Sequence, residues 1–242
     1  MPNRVYAASG AFSITVKSEI AATRFAAARA TGIVLIIGVP FPRAFLSFCY
    51  PEPVKLYDID PGADSPELVR AIIEIPKNSS NKYEYDGTLG VFRLDRALYS
   101  PMHYPGDYGF IPGTLAEDGD PLDIMVLVDE PSFTGCLMVA RPVGLLHMVD
   151  GKENDQKVLA VPNRNPRFDS IHTIDQVFPH TRTEIEYFFS IYKELQGAKT
   201  QMKGWSGPRE ARRVITESRD AYLDRQQRPV SASDEIKAGE AG

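Results

Sequence analysis

Between residues 69 and 96 hydrophobic and polar residues alternate in three runs with the two-residue period that is typical of β-strands. Such runs occupy residues 69–75, 82–86 and 91–96. In the first run Ile73 and Ile75 fall on one face and Glu74 on the other, so Glu74 should point away from the core. Asp86 and Gly87 form a turn dipeptide between the second and third runs. The pattern therefore predicts one strand followed by a β-hairpin.

The next part of the chain predicts a long loop and three more strands. From Tyr99 to Gly119 the sequence is rich in Pro, Gly and Tyr, which predicts a single shaped loop without regular structure. The further strands are predicted at residues 122–128, 137–146 and 157–161. Long ordered loops between strands often carry functional residues.

Near the end of the chain the hydrophobic period becomes that of a helix. Apolar residues recur at helical spacing from Thr181 to Gln196, Thr181 and Glu184 form a capping box, and Gly197 is a helix terminator. A second, more polar helix is predicted over residues 209–225. Strands first and helices last predict a mainly β protein with flanking α, in which C-terminal helices pack against a closed barrel.

The two ends of the chain differ in composition from the middle. The first fifty residues are poor in acids, with Glu19 alone, and their apolar run Ile33 to Val39 is shorter than the roughly 20 residues of a membrane span. Three interpretations of this segment stay open: it is an organellar transit peptide, it is an inefficient secretory signal, or it precedes the true start of the protein. We expect three segments: a poorly ordered extension at 1–50, one folded domain at 51–225 and a flexible tail at 226–242.

Charge and cysteine content narrow the classes of function. The 242 residues carry a net charge of −5 and a pI of about 5.5, which leaves no basic field for nucleic acid or an anionic membrane. The two cysteines, Cys49 and Cys136, fit no redox or ligand spacing, and a reducing compartment is favoured. We therefore predict a cytoplasmic protein, or an organellar one if residues 1–50 are a transit peptide.

The segment Asp118-Gly-Asp-Pro-Leu-Asp123 places three carboxylates within six residues where a loop enters a strand. Such dense negative charge is unfavourable unless cations neutralise it. A solvated turn is the simpler alternative, because Asp, Gly and Pro are ordinary turn residues. An EF-hand fits less well, since its sixth and twelfth positions would hold Asp123 and Asp129 instead of Gly and Glu. Oxygen ligands without Cys or clustered His favour Mg²⁺ or Mn²⁺.

A second acidic cluster contains Asp150 and Asp155, followed by Lys157, and taken alone it could be an exposed hairpin turn. The sequence also offers cations that could grip phosphate and tyrosines that could donate hydroxyl hydrogen bonds. These residues are Lys82, Arg96, Lys193, Tyr104, Tyr108 and Tyr192. Carboxylates, divalent metals and phosphate-binding cations together indicate phosphate chemistry. The four scattered histidines are read as structural or surface residues.

Several motifs stand in order along the chain: Glu74-Ile-Pro, Lys82-Tyr-Glu84, Asp95-Arg96, Tyr104-Pro-Gly-Asp-Tyr108-Gly, Asp118-Gly-Asp-Pro-Leu-Asp123, Asp150 with Asp155 and Lys157, and Tyr192-Lys193. Together they resemble the soluble family I inorganic pyrophosphatases. The similarity runs from about Tyr57 to about Tyr222. It implies a five-stranded OB-like barrel with the site at its mouth. It also implies hydrolysis of pyrophosphate to two orthophosphates by metal-activated water, without a covalent intermediate.

The same resemblance implies a role for each matching residue. Asp118, Asp123 and Asp155 would hold the tighter metal pair. Asp120 would orient or deprotonate the attacking water. Metals that arrive with substrate would be held by Asp150, Glu74 and Glu84. Phosphate oxygens would be gripped by Lys82, Arg96, Tyr192 and Lys193, supported by Tyr104, Tyr108 and Lys157.

The resemblance also implies several Mg²⁺ ions per site, with Mn²⁺ as a possible substitute, and a homo-oligomer. Bacterial relatives are hexamers and fungal or animal ones dimers, but Tyr187 and Ile191 stand where bacterial hexamers often place histidines. Two other functions stay open. One is a metal-dependent hydrolase of nucleotides or phosphate esters, and the other is a non-catalytic OB-type module that binds nucleic acid or a protein.

Overall fold

The computed structural model describes residues 55–151 and 153–227. Nine strands and two α-helices make up this part of the chain. The strands are β1 (Val69–Ile75), β2 (Asn81–Asp86), β3 (Val91–Ala97), β4 (Asp107–Phe110), β5 (Asp123–Val126), β6 (Leu137–Asp150), β7 (Glu153–Asn154), β8 (Lys157–Pro162) and β9 (Thr200–Ser206). The helices are α1 (Pro179–Ile191) and α2 (Pro208–Gln227).

Five of the strands close into a ring in the order β1-β4-β5-β8-β6, and β6 pairs again with β1. All pairings in the ring are antiparallel except that of β5 with β8, which is parallel. β6 is 14 residues long and can therefore pair with β1 near its start and with β7 and β9 near its end. The predicted mainly β fold, a five-stranded closed barrel with C-terminal helices, is confirmed.

The barrel strands bury both of their faces, because a different group of side chains covers each one. One face forms an apolar cluster with residues of four of the five ring strands, and because α1 covers the opposite, outer face, this cluster fills the barrel interior. Its strand members are Val69, Ala71, Ile73, Ile124, Val126, Ala140, Leu145, Val158 and Ala160. α2 packs on the same cluster through Ala211, Val214 and Ile215.

The other face of the same strands packs against α1. Alternate residues of β5, β6 and β8 point there, as the two-residue period of a strand requires. The cluster includes Met125, Leu146, Met148, Leu159 and Val161 from the strands and Ile185, Phe188 and Phe189 from α1. Unlike the interior, this cluster also contains Tyr104, Tyr108 and Tyr192.

The β2–β3 hairpin lies outside the ring and packs through aromatic residues. Tyr57 contacts both Tyr85 and Phe110, with ring centroids 4.9 Å and 5.1 Å apart. The hairpin turn contains four residues between Asp86 and Val91 rather than the tight two-residue turn suggested by Asp-Gly. The Asp86 carboxylate accepts hydrogen bonds from the next backbone amides and stabilises this longer turn.

Part of the predicted loop at residues 99–119 is in fact a strand, β4. All four residues of β4 are buried, so no alternation marks them in the sequence. Gly109 lies so close to β1 that a Cβ atom there would be 1.9 Å from the Ile72 carbonyl oxygen. A glycine that reads as a loop residue is therefore required for strand packing.

The first helix differs from its prediction at both ends. It begins at Pro179, so Thr181 lies inside the first turn and the predicted capping box with Glu184 does not form. It ends at Ile191, and Leu195 is therefore 65% exposed instead of facing the core. Gly197 adopts φ 79° and ends a separate short 3-10 turn.

The second helix is confirmed, whereas β9 was not predicted. β9 pairs with β6 as its one neighbour and is largely polar, so it lacks the signal of a buried strand. The predicted extension at 1–50 lies outside the described residues, as do residues 228–242 of the predicted tail. α2 continues to Gln227, two residues into that tail. None of the described helices is long and apolar enough to cross a membrane.

Candidate active site

A cavity of about 430 Å³ opens where the ends of β5, β6 and β8 meet the β2–β3 hairpin and the segment after α1. Seven carboxylates and four cations of the described residues line it. The carboxylates are Glu74, Glu84, Asp118, Asp120, Asp123, Asp150 and Asp155, and the cations are Lys82, Arg93, Lys157 and Lys193. All the carboxylates that the sequence predicts for metal binding or catalysis are thus brought together.

Lys157 is the central cation of this cavity, and it is only 5% exposed. Its ammonium group contacts Asp123 at 2.5 Å and also forms an ion pair with Asp155. Burial alone would lower the pKa of Lys157, but the two carboxylates outweigh burial and raise it well above its usual value. Lys157 therefore stays charged and holds the start of β5 close to the start of β8.

The other two lysines of the cavity are also paired, Lys193 with one carboxylate and Lys82 with two. Lys193 contacts Asp150, which ties the segment after α1 to the end of β6. Lys82 contacts Glu84 at 2.5 Å, as expected for two residues on one face of β2. These pairs leave the cavity partly neutralised.

An amphipathic strand would point Glu74 to solvent, but in the structure its side chain lies in the cavity wall. Its carboxylate accepts a hydrogen bond of 2.8 Å from the backbone amide of Tyr85 and is partly buried under the hairpin. Burial, with Asp123 and Glu84 nearby, raises the pKa of Glu74 to about 8. The hairpin therefore converts the outer face of β1 into one wall of the cavity.

Asp120 and Asp155 also hold raised pKa values. For Asp120 the causes are burial, then the charges of Asp118 and Asp123. For Asp155 the cause is burial, which Lys157 partly offsets. The carboxylates in this cavity thus repel one another and favour either a proton or a cation as a partner.

Three tyrosines place hydroxyl groups against the same cavity from its apolar side. Burial raises the pKa values of Tyr104, Tyr108 and Tyr192 well above the usual value, so each hydroxyl keeps its proton and can donate a hydrogen bond. Their rings pack with Phe188 and Phe189 of α1. Packing therefore fixes the direction of these donors.

Arg96 is the one predicted site residue that does not line the cavity. It lies opposite Lys82 in the hairpin, and its guanidinium group pairs with Asp95. Its Nε is buried and has no hydrogen-bond partner among the described residues. Asp95 also lies 3.7 Å from Lys82, so Arg96 is next to the site and keeps an unused donor.

Sequence reasoning missed other residues of the cavity wall, including Arg93, Tyr57 and Asn154. Arg93 donates to Glu84 at 3.0 Å, so both oxygens of this carboxylate face a cation. A signal was present for Arg93, because it lies directly opposite Glu84 in the predicted hairpin. Nothing in the sequence pattern marks Tyr57 or Asn154.

The chemistry of the donors fits a hard divalent cation. All acidic lining groups are carboxylates, and the lining includes neither cysteine nor histidine. Within the part of the chain that the structure describes, no three acidic, histidine or cysteine side chains are close enough to form a metal site as they stand. Lys157 lies between Asp123 and Asp155 and bridges them.

The fold and the cavity define a class of protein: a small closed-barrel protein with a pocket suited to divalent cations and a phosphate-containing anion. The family profile described as "Inorganic pyrophosphatase" matches residues 71–223. This chain therefore belongs to the inorganic pyrophosphatase family.

Individual relatives agree with this assignment. An inorganic pyrophosphatase of Nostoc sp. is 47% identical over 162 residues, which cover 67% of this chain and 96% of the relative. That of Geobacillus stearothermophilus is 49% identical over 151 residues, which cover 62% of this chain and 92% of the relative. The solved inorganic pyrophosphatase of Thermus thermophilus is 42% identical, with a TM-score of 0.69 over 70% of this chain and 99% of that one.

Proposed function

We propose that this chain hydrolyses inorganic pyrophosphate to two orthophosphates in the cavity described above, with divalent cations held by its carboxylates. The observation that carries the proposal is the convergence of seven carboxylates and four cations on one cavity in a member of this family. A small, highly charged anion needs many neutralising groups and no apolar pocket for a base or sugar. The alternative of nucleotide or ester hydrolysis is less well supported for that reason.

Mg²⁺ is the cation we propose, with Mn²⁺ as a substitute, because both prefer oxygen ligands. Asp118, Asp123 and Asp155 would hold the tighter ions, and Asp150, Glu74 and Glu84 those that accompany substrate. When bound, such cations neutralise phosphate charge and make water more acidic.

The residues of the chain itself position substrate and move the proton. Asp120 accepts a proton from the attacking water, and its raised pKa makes it a stronger base than an ordinary aspartate. Lys82, Arg96, Lys193 and Tyr192 bind phosphate oxygens. Tyr104, Tyr108 and Lys157 support them from the buried side of the cavity. The water oxygen bonds to one phosphorus, the bridging P–O bond breaks, and the second phosphate leaves without a covalent enzyme intermediate.

A phosphate-release assay tests the proposed reaction directly. With Mg²⁺ titrated from zero, we expect phosphate from pyrophosphate at a rate at least about a hundredfold above that from ATP or p-nitrophenyl phosphate. Equal rates on ATP would favour the nucleotide-hydrolase alternative. Tight binding of a fluorescent single-stranded oligonucleotide without phosphate release would favour the OB-type binding module.

Two neighbouring aspartates should separate metal binding from proton transfer. We expect Asp123→Asn to weaken Mg²⁺ binding strongly, with activity only partly recovered at high Mg²⁺. Asp120→Asn should change metal affinity little but lower turnover by about 10²–10⁴-fold, the usual range for loss of a general base.

Calorimetric Mg²⁺ titration and steady-state kinetics on both variants measure this difference, with circular dichroism to verify folding. The folding control matters for Asp123, because its loss leaves Lys157 with one fewer partner. If both variants lose metal affinity equally, Asp120 is another ligand and the assigned mechanism is wrong.

We also propose a homo-oligomer in the cytoplasm. Support for an oligomer comes from two large exposed apolar side chains beside one groove along α1, Phe178 at 70% and Tyr187 at 61% exposure. Sedimentation velocity distinguishes monomer, dimer and hexamer, and cell fractionation tests the location.

A further inference from the structure

Two separate loops carry two of the three carboxylates proposed for the tighter metal ions. One is the segment between β4 and β5, which contains Asp118 and also the proposed proton acceptor Asp120. The other is the turn between β6 and β8, which contains Asp155. A cation shared by these loops requires a fixed distance between their tips.

The bases of both loops are firmly attached. The hydroxyl of buried Thr114 accepts from the Leu122 amide at 2.9 Å, and the Leu115 amide donates to Ser218 of α2 at 2.8 Å. In the other loop the Asp155 amide donates to Met148 at 2.9 Å. The parallel pairing of β5 with β8 joins the two bases.

The tip of the first loop has weaker support. Residues 117–120 are all exposed. The tip is closed by its own backbone bonds, from Ala116 to Asp120 and from Gly119 to Ala116. Carboxylates on the two tips repel one another, so the loops need a connection that does not depend on bound cations.

One side-chain hydrogen bond connects the tips. Asn154 Nδ2 donates to Glu117 Oε2 at 3.0 Å, across 37 residues of sequence. Glu117 immediately precedes Asp118, and Asn154 immediately precedes Asp155 and itself lines the cavity. The bond therefore joins the direct neighbours of two carboxylates that belong to different loops.

We propose that Glu117 and Asn154 are positioning residues that hold Asp118 at the correct distance from Asp155 for cation binding. This inference rests on the proposed function, because it assigns metal binding to those two carboxylates. We assign the pair no part in the reaction itself. Its contribution should appear as metal affinity rather than as maximal turnover.

A double-mutant cycle tests the pair, with Glu117→Ala, Asn154→Ala and the double variant. Each single variant should raise the Mg²⁺ concentration at half-maximal activity by about threefold to tenfold, the effect of losing one partly exposed hydrogen bond to a charged group. Calorimetric Mg²⁺ titration without substrate should show the same change in dissociation constant. The double variant should bind Mg²⁺ no more weakly than the single variant with the lower affinity, because both substitutions remove the same bond.

Two control variants separate the contact from the charge of Glu117. Glu117→Gln keeps the acceptor but not the charge, and should restore most of the metal affinity that Glu117→Ala loses. Glu130→Ala removes an exposed acid elsewhere and should leave metal binding unchanged.

The outcomes differ for each way of failing. Wild-type affinity in Asn154→Ala, or additive losses in the double variant, would overturn the positioning role and leave only an effect of charge. Absence of Mg²⁺ binding and of pyrophosphate hydrolysis in the wild-type protein would refute the proposed function itself.

Discussion

The two faces of the barrel strands differ sharply although the same strands form both. Along β5, β6 and β8, every second side chain enters an interior of Val, Ile, Leu and Ala that is closed by α2. The alternate side chains meet α1 in a cluster that includes three buried tyrosines and lies against Lys157. The interior serves stability, whereas the α1 face also aims hydrogen-bond donors into the cavity.

This difference shows how a small barrel can combine a stable core with a highly charged site. The apolar interior is formed by hydrophobic side chains alone, so its packing does not require the charged groups of the cavity. The α1 face supports the cavity from below, since the Lys157 ammonium lies 5.7 Å from the Tyr108 ring and 5.8 Å from the Phe189 ring. Substitutions on the two faces should therefore have different consequences.

The largest loss of stability is expected from substituting two adjacent leucines whose side chains point to opposite faces. Leu145→Ala and Leu146→Ala should each lower the free energy of unfolding by about 2–5 kcal/mol, because both side chains are fully buried. Leu146 lies opposite Lys157 in the barrel and belongs to the tyrosine cluster, so its loss should also lower turnover more than fivefold. Leu145→Ala should keep turnover within twofold while the protein stays folded.

Urea unfolding and steady-state kinetics at 20 °C measure the two losses, with folding verified by circular dichroism. Equal loss of turnover in both variants would mean that the two faces are not separated as the structure suggests.

Arg96→Lys should have a smaller effect in free-energy terms, and this effect should appear in turnover. An ammonium group cannot reproduce a two-point guanidinium contact with phosphate, so turnover should fall by about ten to a hundredfold despite the retained charge. Arg70→Lys is the matched control, because Arg70 forms a surface ion pair with Asp60. Near-normal turnover of Arg96→Lys at saturating Mg²⁺ would show that Arg96 contributes only a diffuse positive charge.

Tyr108→Phe tests the α1 face by removing one hydroxyl without removing the ring. Packing against Phe189 is retained, so the free energy of unfolding should change by less than about 1 kcal/mol, while turnover falls about tenfold. Tyr222→Phe provides the control, since its hydroxyl bonds Asp58 at 2.6 Å on the surface. If the two variants have the same turnover, the buried hydroxyl does not act on the reaction.

The smallest effect is expected from removing the first residues of the chain. A protein that begins at Glu52 should keep its turnover within twofold and its unfolding free energy within about 1 kcal/mol. All residues proposed for the site lie between Glu74 and Lys193, and the apolar interior begins at Val69. A loss of turnover above tenfold in a folded truncated protein would show that the first residues complete the site.

Much of the site could be predicted from the sequence because its residues stand in short motifs at strand ends. Asp118, Asp120 and Asp123 lie together by connectivity alone, and the alternation of β2 places Lys82 beside Glu84 in any folded hairpin. The barrel strands β1, β5, β6 and β8 and both helices were predicted for the same reason, since local periodicity reflects which face is buried. Short-range pattern thus determined most of the elements and indicated phosphate chemistry, whereas the role of each site residue came from the resemblance to a known family.

Only the tertiary structure decided how these parts act on one another. β4 and β9 escaped prediction because one is buried on every side and the other is a polar strand with a single neighbour. The burial of Glu74 depends on a hairpin that packs over β1, and its raised pKa follows from that packing. The position of Lys157 between Asp123 and Asp155 depends on the parallel pairing of β5 with β8. These are contacts between residues far apart in sequence, and local periodicity carries no information about which distant residues meet.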